Sequence, residues 1–125
     1  MNRHALWLLA GLAGAFVALR LMLLLDPDSD LFVAGYNIHH LFTGLVLITV
    51  AAPPLALDAA RGRKRDLLVL TLGAGLGMAL DEWVYLIATD GSNAAYLTPV
   101  SFRGGLLLVS LAAGYVAVLG RVTKR

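Results

Sequence analysis

Residues 67–88 read LLVLTLGAGLGMALDEWVYLIA. A helix needs roughly 20 residues to cross about 30 Å of hydrocarbon, and this run is long enough. Its leucines and valines do not alternate with polar residues, as strands of a membrane barrel would. A spanning segment must close its backbone hydrogen bonds within itself, so the run reads as a transmembrane helix. Near its end it carries two adjacent carboxylates, Asp81 and Glu82, with no lysine or arginine close by. Acids in an apolar helix need partners, and the rest of the chain has to supply them.

Three other segments, 5–25, 33–57 and 99–120, are equally apolar and of spanning length. The whole chain of 125 residues is 59% hydrophobic and 14% charged, with a mean hydropathy of +0.79, which is the composition of a membrane protein. With no cysteine, it can form neither disulfides nor thiolate metal sites. A net charge of +2 and a pI of about 9.3 raise the question of nucleic acid. The basic residues instead gather in short clusters beside apolar segments, so no nucleic-acid partner is expected. Residues 5–25 could be read as a signal peptide with a weak Ala13-Gly14-Ala15 cleavage site. The apolar stretch continues to Leu25, too far for that, and is kept as a span.

The charges then set the orientation. Arg3, the group Arg61, Arg63, Lys64 and Arg65, and the group Arg121, Lys124 and Arg125 fall on one side of four crossings. Asp26, Asp28, Asp30 and Asp90 fall on the other. The positive-inside rule places both termini in the cytoplasm. The expectation is an all-α, multi-pass protein of a prokaryotic cytoplasmic (inner) membrane: one domain, residues 1–125, folded as an antiparallel bundle of four transmembrane helices. Short loops make sequential helices antiparallel neighbours. Pro53-Pro54 either kinks the second helix or ends it at Ala52. Gly73 with Gly77, and Gly11 with Ala15, repeat a small-residue spacing suited to close helix packing.

This topology fixes depths. Asp81 and Glu82 lie about 9–12 Å below the outer end of their helix, from a rise of 1.5 Å per residue. His39 and His40 fall about two turns in from Val33, and Arg20 roughly 8 Å short of Leu25. Arg103 is about one turn into the last helix. Every helix thus brings an ionisable side chain to the same outer third, and the inner half is apolar. Tyr85 follows Asp81 by one turn, and Tyr36 precedes His40 by one turn. The expected site is an outward-opening pocket of His39, His40, Asp81 and Glu82, with Arg20 and Arg103 at its rim and Tyr36 and Tyr85 beside it.

Two ligand chemistries fit those residue types. His39, His40, Asp81 and Glu82 are a ligand set for a divalent metal such as Zn, Fe or Mn, although neither HExxH nor a Glu-x-x-His repeat is present. Alternatively Asp81 or Glu82 acts as acid–base catalyst or proton carrier while Arg20, Arg103, Tyr36 and Tyr85 bind an amphiphilic or lipid-like ligand. No serine triad and no phosphate-cradling loop can be drawn. A third reading makes the polar cluster only a lock on helix packing, in a structural or accessory subunit or a small transport component. Membrane lipids are the expected surroundings, with a homo-oligomer or a larger membrane protein as the partners to consider.

IHHLFTGLVLI (38–48), a basic loop and LTLGAGLGMALDEWVYLI (70–87) together resemble a group of small prokaryotic four-helix integral membrane proteins. In that group a His-His pair opens one helix and a Gly-rich helix ends in Asp-Glu. The resemblance points to His39, His40, Gly44, Asp81 and Glu82, and implies no activity.

Overall fold

The computed structural model describes residues 1–123. Helices α1 (Arg3–Leu25), α2 (His40–Ala56), α3 (Gly62–Ala88), α4 (Asn93–Tyr96) and α5 (Pro99–Val122) make up about three quarters of it. A two-stranded hairpin, β1 (Phe32–Val33) and β2 (Tyr36–Asn37), sits between α1 and α2. Lys124 and Arg125, of the last basic group, lie outside the described residues. Among the described residues, α1, α3 and α5 are the three helices long and apolar enough to cross a membrane. Their exposed faces carry aliphatic side chains such as Val17, Leu21, Leu111 and Val118, which suit lipid as solvent.

The second apolar segment departs from expectation. It becomes helical only at His40, and α2 has 17 residues, a rise of about 25 Å. Ala34 and Gly35 adopt φ of 51° and 83°, the two positive values of a tight I′ turn. The turn pairs Phe32 with Asn37 and Val33 with Tyr36, so this stretch is spent on a hairpin. His39 is therefore the N-cap of α2 and His40 its first residue, rather than two turns inside. Pro53 and Pro54 stand within the last turns of α2, which continues to Ala56. α3 starts earlier than expected, at Gly62, so Arg63, Lys64 and Arg65 form its first turn.

The packing order is set by glycine. α3 touches α1, α2 and α5, whereas α1 and α2, consecutive in the chain, do not touch. α1 runs parallel to α3. Gly11 faces Leu70 and Ala74, Gly73 faces Leu8 and Leu12, and Gly77 faces Leu12 and Ala15. A Cβ on Gly11 would run into the Leu70 carbonyl, so only glycine permits this approach. α2 lies antiparallel to α3 with Gly44 against Gly75, where a Cβ on Gly44 would meet the Gly75 oxygen at 2.5 Å. α5 completes a core in which Val109 packs with Leu12 and Phe16. Of the expected sequential neighbours, α2 with α3 and α3 with α5 do pack, whereas α1 bypasses α2 to form a three-helix core with α3 and α5, leaving α2 attached to α3 alone. Backbone-to-backbone contact between the parallel α1 and α3 is the cause.

Asn2 N–H donates to the Gly120 carbonyl at 2.8 Å, and Arg3 pairs with Asp66 at 3.1 Å. The starts of α1 and α3 and the end of α5 therefore share one end of the molecule. The hairpin and α4 lie at the other, the hairpin end.

Candidate functional site between α1 and α2

The two acids of α3 are neutralised differently. Asp81 is completely buried. Its Oδ1 accepts from Arg20 Nε at 2.7 Å and lies 2.6 Å from Arg20 Nη2. Its Oδ2 accepts from the Tyr96 hydroxyl. The rest of the Arg20 fork donates to the Tyr96 carbonyl at 3.0 Å and to Ser101 Oγ at 3.1 Å. The guanidinium carbon also stands 4.0 Å from the centroid of the Tyr96 ring. Gly105 makes room for this pair, since a Cβ there would come within 2.7 Å of Asp81 Oδ1. A buried carboxylate with a charge-matched, fully hydrogen-bonded partner is a lock between helices.

Glu82 turns the other way, toward α2. Its Oε2 accepts the Leu41 N–H at 2.7 Å. The first amides of a helix lack intrahelical acceptors and carry partial positive charge. His39, the N-cap residue, makes no side-chain cap bond, so Glu82 caps α2 from the neighbouring helix. Glu82 Oε1 is 3.5 Å from His39 Nδ1 and 3.2 Å from His40 Nε2. His40 Nε2 is also 3.6 Å from Asp81 Oδ2, yet it is buried without a well-directed hydrogen bond. Four rings pack edge to face along this cluster: His39 on Tyr85, Tyr85 on Tyr96 and Tyr96 on His40, at 5.8, 5.3 and 5.4 Å between centroids.

Because α1 and α2 do not touch, a cavity of about 420 Å³ remains between them at the hairpin end. Leu19, Met22 and Leu23 form one wall, and His39, His40 and Thr43 the other. Met78, Glu82 and Tyr85 of α3 are its floor. Asp30, Asn37 and Asn93 roof it. The Asp30 carboxylate accepts from Asn37 Nδ2 at 3.3 Å and Asn93 Nδ2 at 2.8 Å, tying the hairpin to α4.

The structure brings His39, His40, Asp81 and Glu82 together, and corrects the positions of the others. Arg20 is not at a rim; it is buried beneath the cavity and spent on Asp81, Tyr96 and Ser101. Arg103 is exposed on α5, away from the cavity, with no ion pair or side-chain hydrogen bond among the described residues. Tyr36 is 73% exposed on the hairpin and does not line the cavity. Tyr85 does line it, but its hydroxyl lies 2.6 Å from the Gly91 carbonyl and 3.1 Å from that of Ser92. Among the described residues no group of three or more His, Asp or Glu is arranged to hold a metal ion. Asp81 in particular has no oxygen to spare for a metal, because both already have partners.

Sequence reasoning missed Tyr96 and the partner of Ser101. Tyr96 is in a loop by sequence, and its one signal is an aromatic hydroxyl among small residues. Burial and the adjacent Asp81 charge push its phenol pKa well above the ordinary tyrosine value. Asp90, on the surface, is held below the usual carboxylate range by hydrogen bonds from the Ser92 side chain and backbone.

By fold and composition the chain has the character of a helical membrane protein, with three helices among the described residues long and apolar enough to cross a membrane. It matches no protein-family profile, no curated protein and no solved structure.

Proposed function

We propose that this is a four-crossing protein of a prokaryotic cytoplasmic membrane, of the small His-His/Asp-Glu group, which binds an amphiphile in an outward-facing cavity. The basic clusters favour cytoplasmic termini, with α2 as the fourth, shorter crossing. One observation carries the ligand reading: the 420 Å³ space between α1 and α2, apolar on the α1 side and polar at its base. An amphiphile entering from the bilayer lays its chain along Leu19, Met22 and Leu23 and its head against His39, His40 and Glu82. Glu82, with Oε1 3.5 Å from His39 Nδ1 and 3.2 Å from His40 Nε2, can exchange a proton with either imidazole beside that head. Asp81 takes no such part, being held by Arg20, and that half of the cluster fits the packing-lock reading.

Thr43→Trp fills the cavity from the α2 wall. Native mass spectrometry of protein extracted into mild detergent should find a small amphiphile retained by the wild type and lost from this variant. Equal retention by both would remove the cavity from consideration.

A further inference from the structure

Resting on that amphiphile reading, we propose that the head the cavity takes is a cation: an ammonium group carried on an alkyl chain. The cavity is lined by two carboxylates, Asp30 and Glu82, two imidazoles, and no lysine or arginine. Both arginines of the hairpin end are elsewhere, Arg20 under Asp81 and Arg103 on the outer face of α5. The partners of Asp30 are the neutral amides of Asn37 and Asn93, which leave its charge uncancelled. Glu82 is met by the partial charge of a helix terminus and by imidazoles, with no permanent cation. Glu82, largely excluded from water, acts on a bound head more strongly than it would in solvent, while Asp30 adds its charge from the surface.

A phosphate or carboxylate head would meet acids and find no guanidinium to hold it. An ammonium meets acceptors of matching sign. The space it enters is also lined by the part-exposed imidazole rings of His39 and His40, with side chains 21% and 15% exposed. The ammonium could come from a choline- or ethanolamine-type lipid head or from a free cationic amphiphile. The chemistry recognised is the same.

The test uses the full chain in a neutral detergent with four probes sharing a dodecyl chain: dodecyltrimethylammonium, dodecylphosphocholine, dodecyl phosphate and the uncharged dodecyl maltoside. Binding is read by native mass spectrometry from mixtures at equal concentration. We expect the trimethylammonium probe to exceed the phosphate probe by about tenfold or more, a difference of the size that one charge supplies. Glu82→Gln and Asp30→Asn should each cut that ratio severalfold. Asp30 is on the surface, so its variant tests the idea even if Glu82→Gln fails to fold. Phosphocholine binding as strongly as trimethylammonium supports a lipid-head source, and weaker binding supports a free cationic amphiphile. Equal binding of all four probes, abolished by Thr43→Trp, overturns the cation while leaving the amphiphile site intact. Binding of none overturns both. A preference for ammonium unchanged in both acid variants also overturns the assignment.

Discussion

Arg20 of α1 and Asp81 of α3 meet at 2.6 Å with side chains only 9% and 0% exposed. Two charges so buried are stable as a pair and costly singly. Arg20→Ala should destabilise the protein by about 3–5 kcal/mol, since it strands the Asp81 charge. Asp81→Ala should cost a similar amount by stranding the guanidinium. The double variant should be less impaired than the sum of the two, because neither charge is left behind. Thermal unfolding in one detergent checks this. Additive losses would mean that the two side chains do not depend on each other.

Glu82 plays a different part, and the same assay separates it. Glu82→Ala removes the acceptor for the Leu41 N–H and leaves the start of α2 uncapped. The expected loss is about 1–3 kcal/mol, with the effect concentrated locally. Hydrogen exchange should quicken over residues 41–44 and little elsewhere. Glu82→Gln keeps an acceptor oxygen and should slow that exchange again. If exchange in α3 rises as much as in α2, Glu82 is a core residue rather than a cap.

The glycines give a contrast within one residue type. A Cβ added to Gly14 or Gly114 would have nothing within 4 Å, while a Cβ on Gly11 or Gly73 collides with the backbone of the facing helix. Gly14→Ala and Gly114→Ala should be neutral or stabilising by up to about 1 kcal/mol, the usual helix-interior gain. Gly11→Ala and Gly73→Ala should lower the unfolding temperature and loosen α1 from α3. Equal tolerance at all four positions would contradict the close α1–α3 crossing.

These same glycines mark what the sequence discloses. The spacing of Gly11 with Ala15 and of Gly73 with Gly77 identifies packing surfaces, but it cannot say that the two surfaces face each other. Pairing between parallel, non-consecutive helices is a property of the folded set. Likewise the charge signs name Arg20 and Asp81 as candidates, and shared depth brings both to one end. Depth alone does not tell Arg20, which points into the core, from Arg103, which is exposed. Hydropathy sets His39 and His40 too deep because it reads through the Ala34-Gly35 turn. An apolar hairpin and an apolar helix have similar hydropathy, and only the positive φ values distinguish them. Tyr96 is hidden for a related reason: a four-residue helix in a loop leaves no periodicity to detect.

Tyr96 also sets a limit at alkaline pH. Its phenol pKa is raised by burial and by the Asp81 charge, so the folded chain keeps this proton after the unfolded chain, near the ordinary value of about 10, has lost it. The contribution is whole below about pH 10 and declines as pH rises through the interval up to the folded value. Unfolding should become easier above about pH 10, with the Tyr96 share of the phenolate absorbance, missing in the wild type until it unfolds, absent from Tyr96→Phe. Tyr96→Phe should flatten that slope while lowering stability at neutral pH, through the lost bond to Asp81. A Tyr96→Phe variant with the wild-type alkaline slope would assign it to another group.

The proposed four-crossing topology is open to a direct measurement, because the chain has no cysteine of its own. Ser29→Cys and Asp90→Cys report the hairpin end, and Ala59→Cys reports the turn between α2 and α3. All three positions are exposed, so labelling depends on the side of the membrane rather than on burial. In intact cells a membrane-impermeant maleimide should modify the first two and spare Ala59→Cys, which should react only after the membrane is opened. The decisive position is Ala59. If α2, with its 17 residues, lies along the surface without crossing, the α2–α3 turn and the hairpin fall on the same side. Ala59→Cys would then label together with Ser29→Cys in intact cells. The hydropathy of α2 and the basic residues Arg61, Arg63, Lys64 and Arg65 just beyond it argue for a crossing, since moving those charges outward would break the positive-inside asymmetry.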